Sequence, residues 1–169
     1  HAGTRCRFGP DGKLYVTTGD STDWNLGQDN NSLAGKTLRL NDDGSVPKDN
    51  PFVGKKGYRP EIWTTGHRNA QGLAWQPGSG LMFQTEHGPG GFENRGGGAD
   101  EVNIVERGKN YGWPTIYGKM TAPGLVTPLL EYTPSCAPAS AMFYTGAAFP
   151  DLKGNFFFGC LRGARIVRV

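Results

Sequence analysis

Long apolar runs, basic clusters and paired cysteines are scarce in this sequence of 169 residues. No apolar stretch approaches the roughly 18 residues that a membrane-spanning helix needs, so we expect no membrane-embedded segment. The net charge is +3 and no run of Lys and Arg exceeds two residues, which argues against a nucleic-acid-binding surface. Cys6, Cys136 and Cys160 give neither a disulfide framework nor metal-ligand spacing, and we expect them to be small buried thiols.

Glycine, proline and aromatic residues are abundant instead. The 27 Gly and 12 Pro residues favour an all-β protein that is dense in turns. Residues 30–34 give the only helical signal in the sequence, and they are enough for a single turn.

Three segments share a strand–turn–strand pattern, which predicts β-hairpins. The first turns at 9–12, the second at 77–80, and the third at 150–154 between arms at 147–149 and 156–158. Further candidate strands are 37–40, 61–64, 102–105 and 166–169. Repetition at this scale predicts about three blades of a β-propeller with long connecting loops, and a Greek-key sandwich is the alternative.

Polar side chains gather at the ends of two apolar strands in the run TGHRNAQGLAWQPGSGLMFQTEHGPGG, residues 65–91. Arg68 offers a planar charged fork that suits carboxylate recognition, and Asn69 adds an amide. The alternative is that both side chains only tie the carbonyls of their own loop together.

A second polar region is GGGADEVNIVERGKNYGWP, residues 96–114, in which Asp100 and Glu101 precede an apolar strand and a tight turn. Because Ca²⁺ accepts carboxylate and backbone oxygens, these elements could share one cation. Solvated loop charges are the alternative, and the alternating acidic loop of an EF-hand is missing.

Longer motifs resemble one known family over the whole chain. HAGTRCRFGPDGKLYVTTGD, AGKTLRLNDDGSVPKDNPF, PEIWTTGHRNAQGLAW, EHGPGG, DEVNIVERGKNYGWP and FYTGAAFPDLKGNFFFGCLRG are similar to the soluble PQQ-dependent aldose (glucose-type) sugar dehydrogenases. The resemblance implies a six-bladed β-propeller that holds pyrroloquinoline quinone (PQQ) near its axis. It also implies oxidation of an aldose at the C1 hydroxyl to the lactone, with electrons passed to an external acceptor.

The resemblance also implies roles for individual residues. His1 of the HxGxR motif would be the general base, and Arg68, Asn69, Gln71 and Arg162 would contact PQQ. Backbone carbonyls of Gly88 and Pro89 would bind the Ca²⁺ that polarises the quinone. Glu101 and the carbonyl of Tyr111 would bind a second, structural Ca²⁺.

The sequence departs from the family pattern in three places. Family chains are about twice as long, so we expect residues 1–169 to be a partial propeller, incomplete at both ends. Ala70 replaces the usual proline of GHRNPQG, and residues 91–98 form an insertion where relatives are often shorter. His1 stands first in the sequence and would fray unless another segment packs over it.

Three hypotheses therefore remain: a catalytically incomplete fragment of the enzyme, a half-propeller that forms a homodimer to complete the ring, and a binding module without redox activity. The resemblance implies a periplasmic or secreted location.

Overall fold

The computed structural model describes residues 1–169, with the side chain of Phe92 excepted. Eleven short β-strands dominate its regular structure. They are β1 (Thr4–Phe8), β2 (Leu14–Thr18), β3 (Lys36–Leu40), β4 (Ile62–Thr65), β5 (Ala70–Trp75), β6 (Met82–Glu86), β7 (Asp100–Val105), β8 (Leu130–Tyr132), β9 (Pro138–Phe143), β10 (Phe156–Cys160) and β11 (Arg165–Arg168). Helical structure in the described residues is limited to the 3-10 turns Trp24–Gly27, Gly91–Glu93 and Pro150–Leu152, and none could span a membrane.

The strands form three antiparallel sheets that follow one another along the chain. Strands β1 to β4 form blade 1, β5 to β8 form blade 2, and β9 to β11 form blade 3, each as a simple meander. The first strands of successive blades, β1, β5 and β9, pack side by side. This arrangement confirms the predicted all-β propeller fold, with three blades present, over the Greek-key sandwich.

The first two predicted hairpins form with their predicted turns. Phe8 pairs with Leu14 across the β1–β2 turn, and Trp75 pairs with Met82 across the β5–β6 turn. The four other predicted strands also form, as β3, β4, β7 and β11, with ends that differ by one or two residues. Strands β8 and β9 were not predicted from the sequence.

The third predicted hairpin is wrong in its first arm. Strand β10 pairs with β9, where Phe143 lies opposite Phe156, and not with residues 147–149. Pro150 has no backbone N–H and a fixed φ, so this segment enters the 3-10 turn Pro150–Leu152 instead of continuing as a strand. A loop of residues 144–155 results, closed by the bond from Gly154 N to Tyr144 O at 2.8 Å.

The helical turn expected at 30–34 is also wrong. The carboxylate of Asp29 accepts from Asn31 N at 2.9 Å, and the hydroxyl of Ser32 accepts from Ala34 N at 3.1 Å. Such local side-chain bonds compete with helical ones, so the backbone turns without forming a helix.

Apolar side chains fill the spaces between the blades. Phe83 of blade 2 packs edge-on against Phe143 of blade 3, with ring centroids 5.1 Å apart. Cys136 and Cys160 are buried in the same cluster, as predicted. The prediction is wrong for Cys6, which is exposed because β1 is exposed along most of its length.

One face of the propeller collects the polar loops. The antiparallel register places the start of each first strand, the end of each second strand and the start of each third strand at the same side of the blades. We call this side the upper face. Both polar regions noted in the sequence end there, which explains how residues distant in the chain converge.

Candidate functional site

A cleft of about 370 Å³ opens on the upper face between loops of all three blades. Six of the residues predicted to bind cofactor, metal or substrate lie along its wall: His1, Arg68, Asn69, Gly88, Pro89 and Arg162. Sequence motifs as much as 161 residues apart, from His1 to Arg162, therefore meet in a single site.

The imidazole of His1 is held on both sides of its ring. Its Nδ1 lies 2.5 Å from Asp20 Oδ1, and its Nε2 lies 2.7 Å from Arg68 Nη2. A guanidinium can only donate, so Nε2 is the acceptor and the ring proton sits on Nδ1, where Asp20 accepts it. The ring is 12% exposed and is ordered by these contacts, although it stands first in the sequence.

Asp20 is a site residue that sequence reasoning missed. Its Oδ2 accepts from Trp113 Nε1 at 2.9 Å, and its Oδ1 also accepts from Thr22 N at 2.9 Å. The carboxylate is completely buried. A signal was present, because Asp20 lies two residues after strand β2 in TTGD, at the end of the strand that faces the site.

The guanidinium of Arg68 is the electrostatic centre of the cleft. Its Nε and Nη2 each lie 2.8 Å from Glu93 Oε1, and its Nη1 donates to His87 O at 3.1 Å. It also lies over the ring of Trp113, 5.5 Å from the centroid. Glu93 was likewise missed, because it belongs to the insertion at 91–98.

Asn69 and Gln71 form a hydrogen-bonded pair of which only Asn69 reaches the cleft. Asn69 Oδ1 accepts from Gly3 N at 3.0 Å and from Gln71 Nε2 at 3.3 Å. A Cβ at position 3 would lie 2.1 Å from Asn69 Oδ1, so the glycine of HAGTR is required for this approach. Gln71 therefore lies outside the cleft wall and holds Asn69 through this hydrogen bond.

Arg162 approaches the cleft from blade 3, in the turn between β10 and β11. Its backbone N donates to Cys136 O at 3.0 Å, which ties this turn to the loop before β9. The side chain is exposed, so a second guanidinium is available on this wall.

Asp100 joins three loops around the cleft. Its Oδ1 accepts from Gly88 N at 2.9 Å. Its Oδ2 accepts from Cys136 N at 2.7 Å, Ala137 N at 2.8 Å and the hydroxyl of Ser135 at 2.7 Å. Because these four bonds occupy both oxygens, the carboxylate has a structural role here.

Glu101 and Tyr111 line a small cavity of about 10 Å³ next to the cleft, together with Glu86 and with Gly88, which lines both. That volume has room for about one water or one ion. Burial and the nearby Glu86 raise the pKa of Glu101 to about 8. Its oxygens accept from Gly118 N at 2.7 Å and from Asn103 Nδ2 at 3.0 Å.

His67 and Glu86, in the polar run of residues 65–91, are buried and stabilise the backbone beside the cleft. His67 Nδ1 lies 2.9 Å from Glu86 Oε2, and Glu86 Oε1 also accepts from Arg68 N. Burial raises the pKa of Glu86, but His67 and the N–H groups of Arg68 and Asn69 outweigh it, so the pKa is lowered. Glu86 therefore fixes the backbone at Arg68, beside the cleft.

The carboxylates of the described residues do not form a ready-made metal centre, since no group of three or more His, Cys, Asp or Glu there could hold an ion. A cation at the cleft would have to rely on backbone carbonyls and on oxygens of a ligand. The small cavity is lined by two carboxyl groups, those of Glu86 and Glu101, and burial, with the charge of Glu86 added to it, raises the pKa of Glu101.

Three meander blades and a polar cleft on one face define the chain as part of a β-propeller. The chain belongs to the glucose/sorbosone dehydrogenase family, which matches it over residues 1–169.

Named relatives agree with this assignment. The chain is 36% identical to the aldose sugar dehydrogenase YliI of Escherichia coli, over 99% of this chain and 47% of the relative. It is 40% identical to quinoprotein glucose dehydrogenase B of Acinetobacter calcoaceticus, over 70% of this chain and 27% of the relative.

Solved structures resemble the whole chain. The PQQ-bound aldose sugar dehydrogenase of Streptomyces coelicolor superposes with a TM-score of 0.82 at 35% identity, over 100% of this chain and 45% of that one. The soluble aldose sugar dehydrogenase of E. coli in its apo-form gives 0.84 at 33% identity, over 97% of this chain and 52% of that one. The chain thus spans about half the length of these two structures and of YliI.

Proposed function

We propose that this chain carries the catalytic face of a PQQ-dependent aldose sugar dehydrogenase, which oxidises the C1 hydroxyl of an aldose to the lactone. Family membership supports an oxidoreductase of this general kind. The observation that carries the specific reaction is the geometry of His1, whose Nε2 is an acceptor at the cleft and whose Nδ1 proton is held by Asp20 at 2.5 Å.

His1 is the general base in this reaction. A sugar whose C1 hydroxyl displaced the Arg68 Nη2 contact would present its proton to Nε2, while Asp20 stabilises the imidazolium that forms. The hydroxyl loses its proton to His1 and C1 loses a hydride, which gives the lactone. When bound, PQQ would supply the hydride acceptor, and an external acceptor would later reoxidise it.

The chemistry of the cleft wall fits PQQ. PQQ carries three carboxylates and two quinone oxygens, and the wall presents Arg68, Arg162 and the amide of Asn69. Guanidinium and amide groups are strong partners for carboxylates and carbonyl oxygens. Gln71 would act by holding Asn69 in position.

Ca²⁺ belongs to the same proposal. Carbonyls of Gly88 and Pro89 would hold one ion at the cleft, where it would polarise the quinone as a Lewis acid. Glu101 and the carbonyl of Tyr111 would hold a second ion. Glu86 and Glu101 both line an ion-sized cavity, which supports that second assignment.

The remaining parts of the proposal concern assembly and location. An aldose and an external electron acceptor are the proposed partners. Because the chain covers about half of its relatives, two copies of three blades would complete six as a homodimer. We propose a periplasmic or secreted location, as the resemblance implies.

The test is a PQQ titration in Ca²⁺, with dye reduction in the presence of glucose and mass measured by light scattering. We expect PQQ binding, and turnover that falls by about 100-fold or more in His1→Gln, as loss of a general base does. Glu61→Gln is the matched control, because Glu61 pairs with Arg59 at 2.7 Å outside the cleft.

Each outcome has a distinct meaning. Activity in a dimer supports the closed ring with His1 as base. A monomer that binds PQQ without turnover would contradict activity of the isolated chain but would support the cofactor site. Absence of PQQ binding refutes the cofactor assignment.

A further inference from the structure

The insertion at residues 91–98 enters the site. It begins with the 3-10 turn Gly91–Glu93, and Gly97 and Gly98 line the cleft. Glu93 is 2% exposed, although a short Gly-rich insertion is expected to be solvated. A buried carboxylate in such a segment requires partners that compensate its charge.

Those partners are the groups of the candidate site. Glu93 Oε1 lies 2.8 Å from both Nε and Nη2 of Arg68, and 3.8 Å from His1 Nε2. The other oxygen accepts from Gly90 N. Glu93 therefore occupies the side of the Arg68 guanidinium on which an incoming carboxylate would make its paired contacts.

A second residue fixes the insertion in place. Arg95 lies over the rings of Trp24 and Trp113, 4.9 and 5.4 Å from their centroids, and Nη1 donates to Pro114 O at 2.9 Å. Trp113 is also in contact with Arg68 and Asp20. The insertion is thus attached to the same aromatic ring that contacts Arg68 and Asp20.

These contacts leave Arg68 little capacity for another ligand. A guanidinium has five N–H donors. Glu93 takes Nε–H and one Nη2–H, His1 takes the other Nη2–H, and His87 O takes one Nη1–H. One donor remains, and the positive charge is already compensated.

We propose that Glu93 is an internal carboxylate that occupies the anion-binding fork of Arg68 and so sets how tightly the cleft binds an anionic ligand. It is a positioning residue: it acts through Arg68 and competes with a carboxylate of the ligand. Only the identity of that ligand, PQQ, rests on the proposed function.

The first test compares PQQ binding to wild type, Glu93→Gln and the control Glu61→Gln by quenching of tryptophan fluorescence. The amide keeps the volume but removes the charge. Because its NH₂ cannot face Gly90 N–H, its oxygen should accept from Gly90 N and its NH₂ should face Arg68, which releases the guanidinium. We expect E93Q to bind PQQ about tenfold or more tightly, as loss of a nearby like charge predicts. Affinity equal to or weaker than that of E61Q would overturn the proposal.

The second test does not depend on PQQ. Glu93→Ala opens a space beside Arg68 that formate can enter, so formate should raise the Tm of E93A more than that of wild type, with chloride as the matched anion. Should E93A fail to fold, its refolding yield in formate against chloride gives the same comparison. An equal response to the two anions would overturn the proposal.

Together the two tests separate this inference from the proposed function. If PQQ binds none of the variants, the cofactor assignment fails, and the response of E93A to formate alone decides whether Glu93 fills a carboxylate subsite.

Discussion

Replacing Asp100 by Asn should destabilise the protein by about 3 kcal/mol or more. The carboxylate accepts four hydrogen bonds, from Gly88 N, Cys136 N, Ala137 N and the Ser135 hydroxyl, at 2.7 to 2.9 Å. Hydrogen bonds to a charged group contribute roughly 1.5–3 kcal/mol each.

An amide can satisfy only one side of this arrangement. With its oxygen in the place of Oδ2, three bonds become neutral and weaker, while its NH₂ faces Gly88 N–H. Losing the Gly88 bond alone costs about 1.5 kcal/mol or more, and the three weakened bonds add about 0.5 kcal/mol each. The loop before β9 and the turn at Gly88 should loosen together.

The assay is equilibrium unfolding in urea, followed by tryptophan fluorescence and circular dichroism. Asp151→Asn is the control, because Asp151 is exposed in the 3-10 turn Pro150–Leu152 and should change the free energy of unfolding by less than about 0.5 kcal/mol. A loss below about 1 kcal/mol for D100N would refute the assignment of Asp100 as the joint between these loops.

Three further predictions follow from buried polar groups. Asp20→Asn should lower dye-linked turnover by about 100-fold or more while PQQ affinity changes little, because His1 loses the acceptor that fixes its tautomer; unchanged turnover would exclude this role. Lys36→Met should cost about 3 kcal/mol in urea unfolding, since the buried ammonium donates to three carbonyls at 2.6 to 3.1 Å, and of these Gly27 O keeps Gly66 N as a donor while Leu26 O and Ala34 O lose theirs; a stability equal to wild type would contradict it. In chelator, the free energy of unfolding should fall as the pH rises from about 4.5 to about 8, because folded Glu101 keeps a proton that the unfolded chain has released. Glu101→Gln should remove that dependence, and an identical pH profile in both proteins would rule the cause out.

Local sequence patterns predicted much of the fold. Turn residues at 9–12 and 77–80 and the β-rich segments beside them specified two hairpins, because turn chemistry and alternation act over a few residues. The same logic failed at 147–149, where a longer loop separates β9 from β10, since the pairing of Phe143 with Phe156 depends on contacts outside the turn. It also failed at 30–34, where side chains of Asp29 and Ser32 captured backbone donors.

Only part of the candidate site could be predicted from the sequence. The motifs identified His1, Arg68, Asn69 and Arg162, and the structure places all four along one cleft. Motifs could not identify Glu93, because it lies in an insertion that the family pattern does not describe. No local pattern pairs Glu93 with a residue 25 positions earlier.

What the sequence determined by itself was the kind of structure and the kinds of group: meander blades from turn spacing, and guanidinium, imidazole and carboxylate groups at strand ends. Only the tertiary structure decided which of them interact. The proton position on His1 and the charge state of Glu101 depend on neighbours brought within a few ångströms by the register of separate blades. Electrostatic and hydrogen-bonding energies depend on distance and burial, and neither is encoded in any single stretch of the chain.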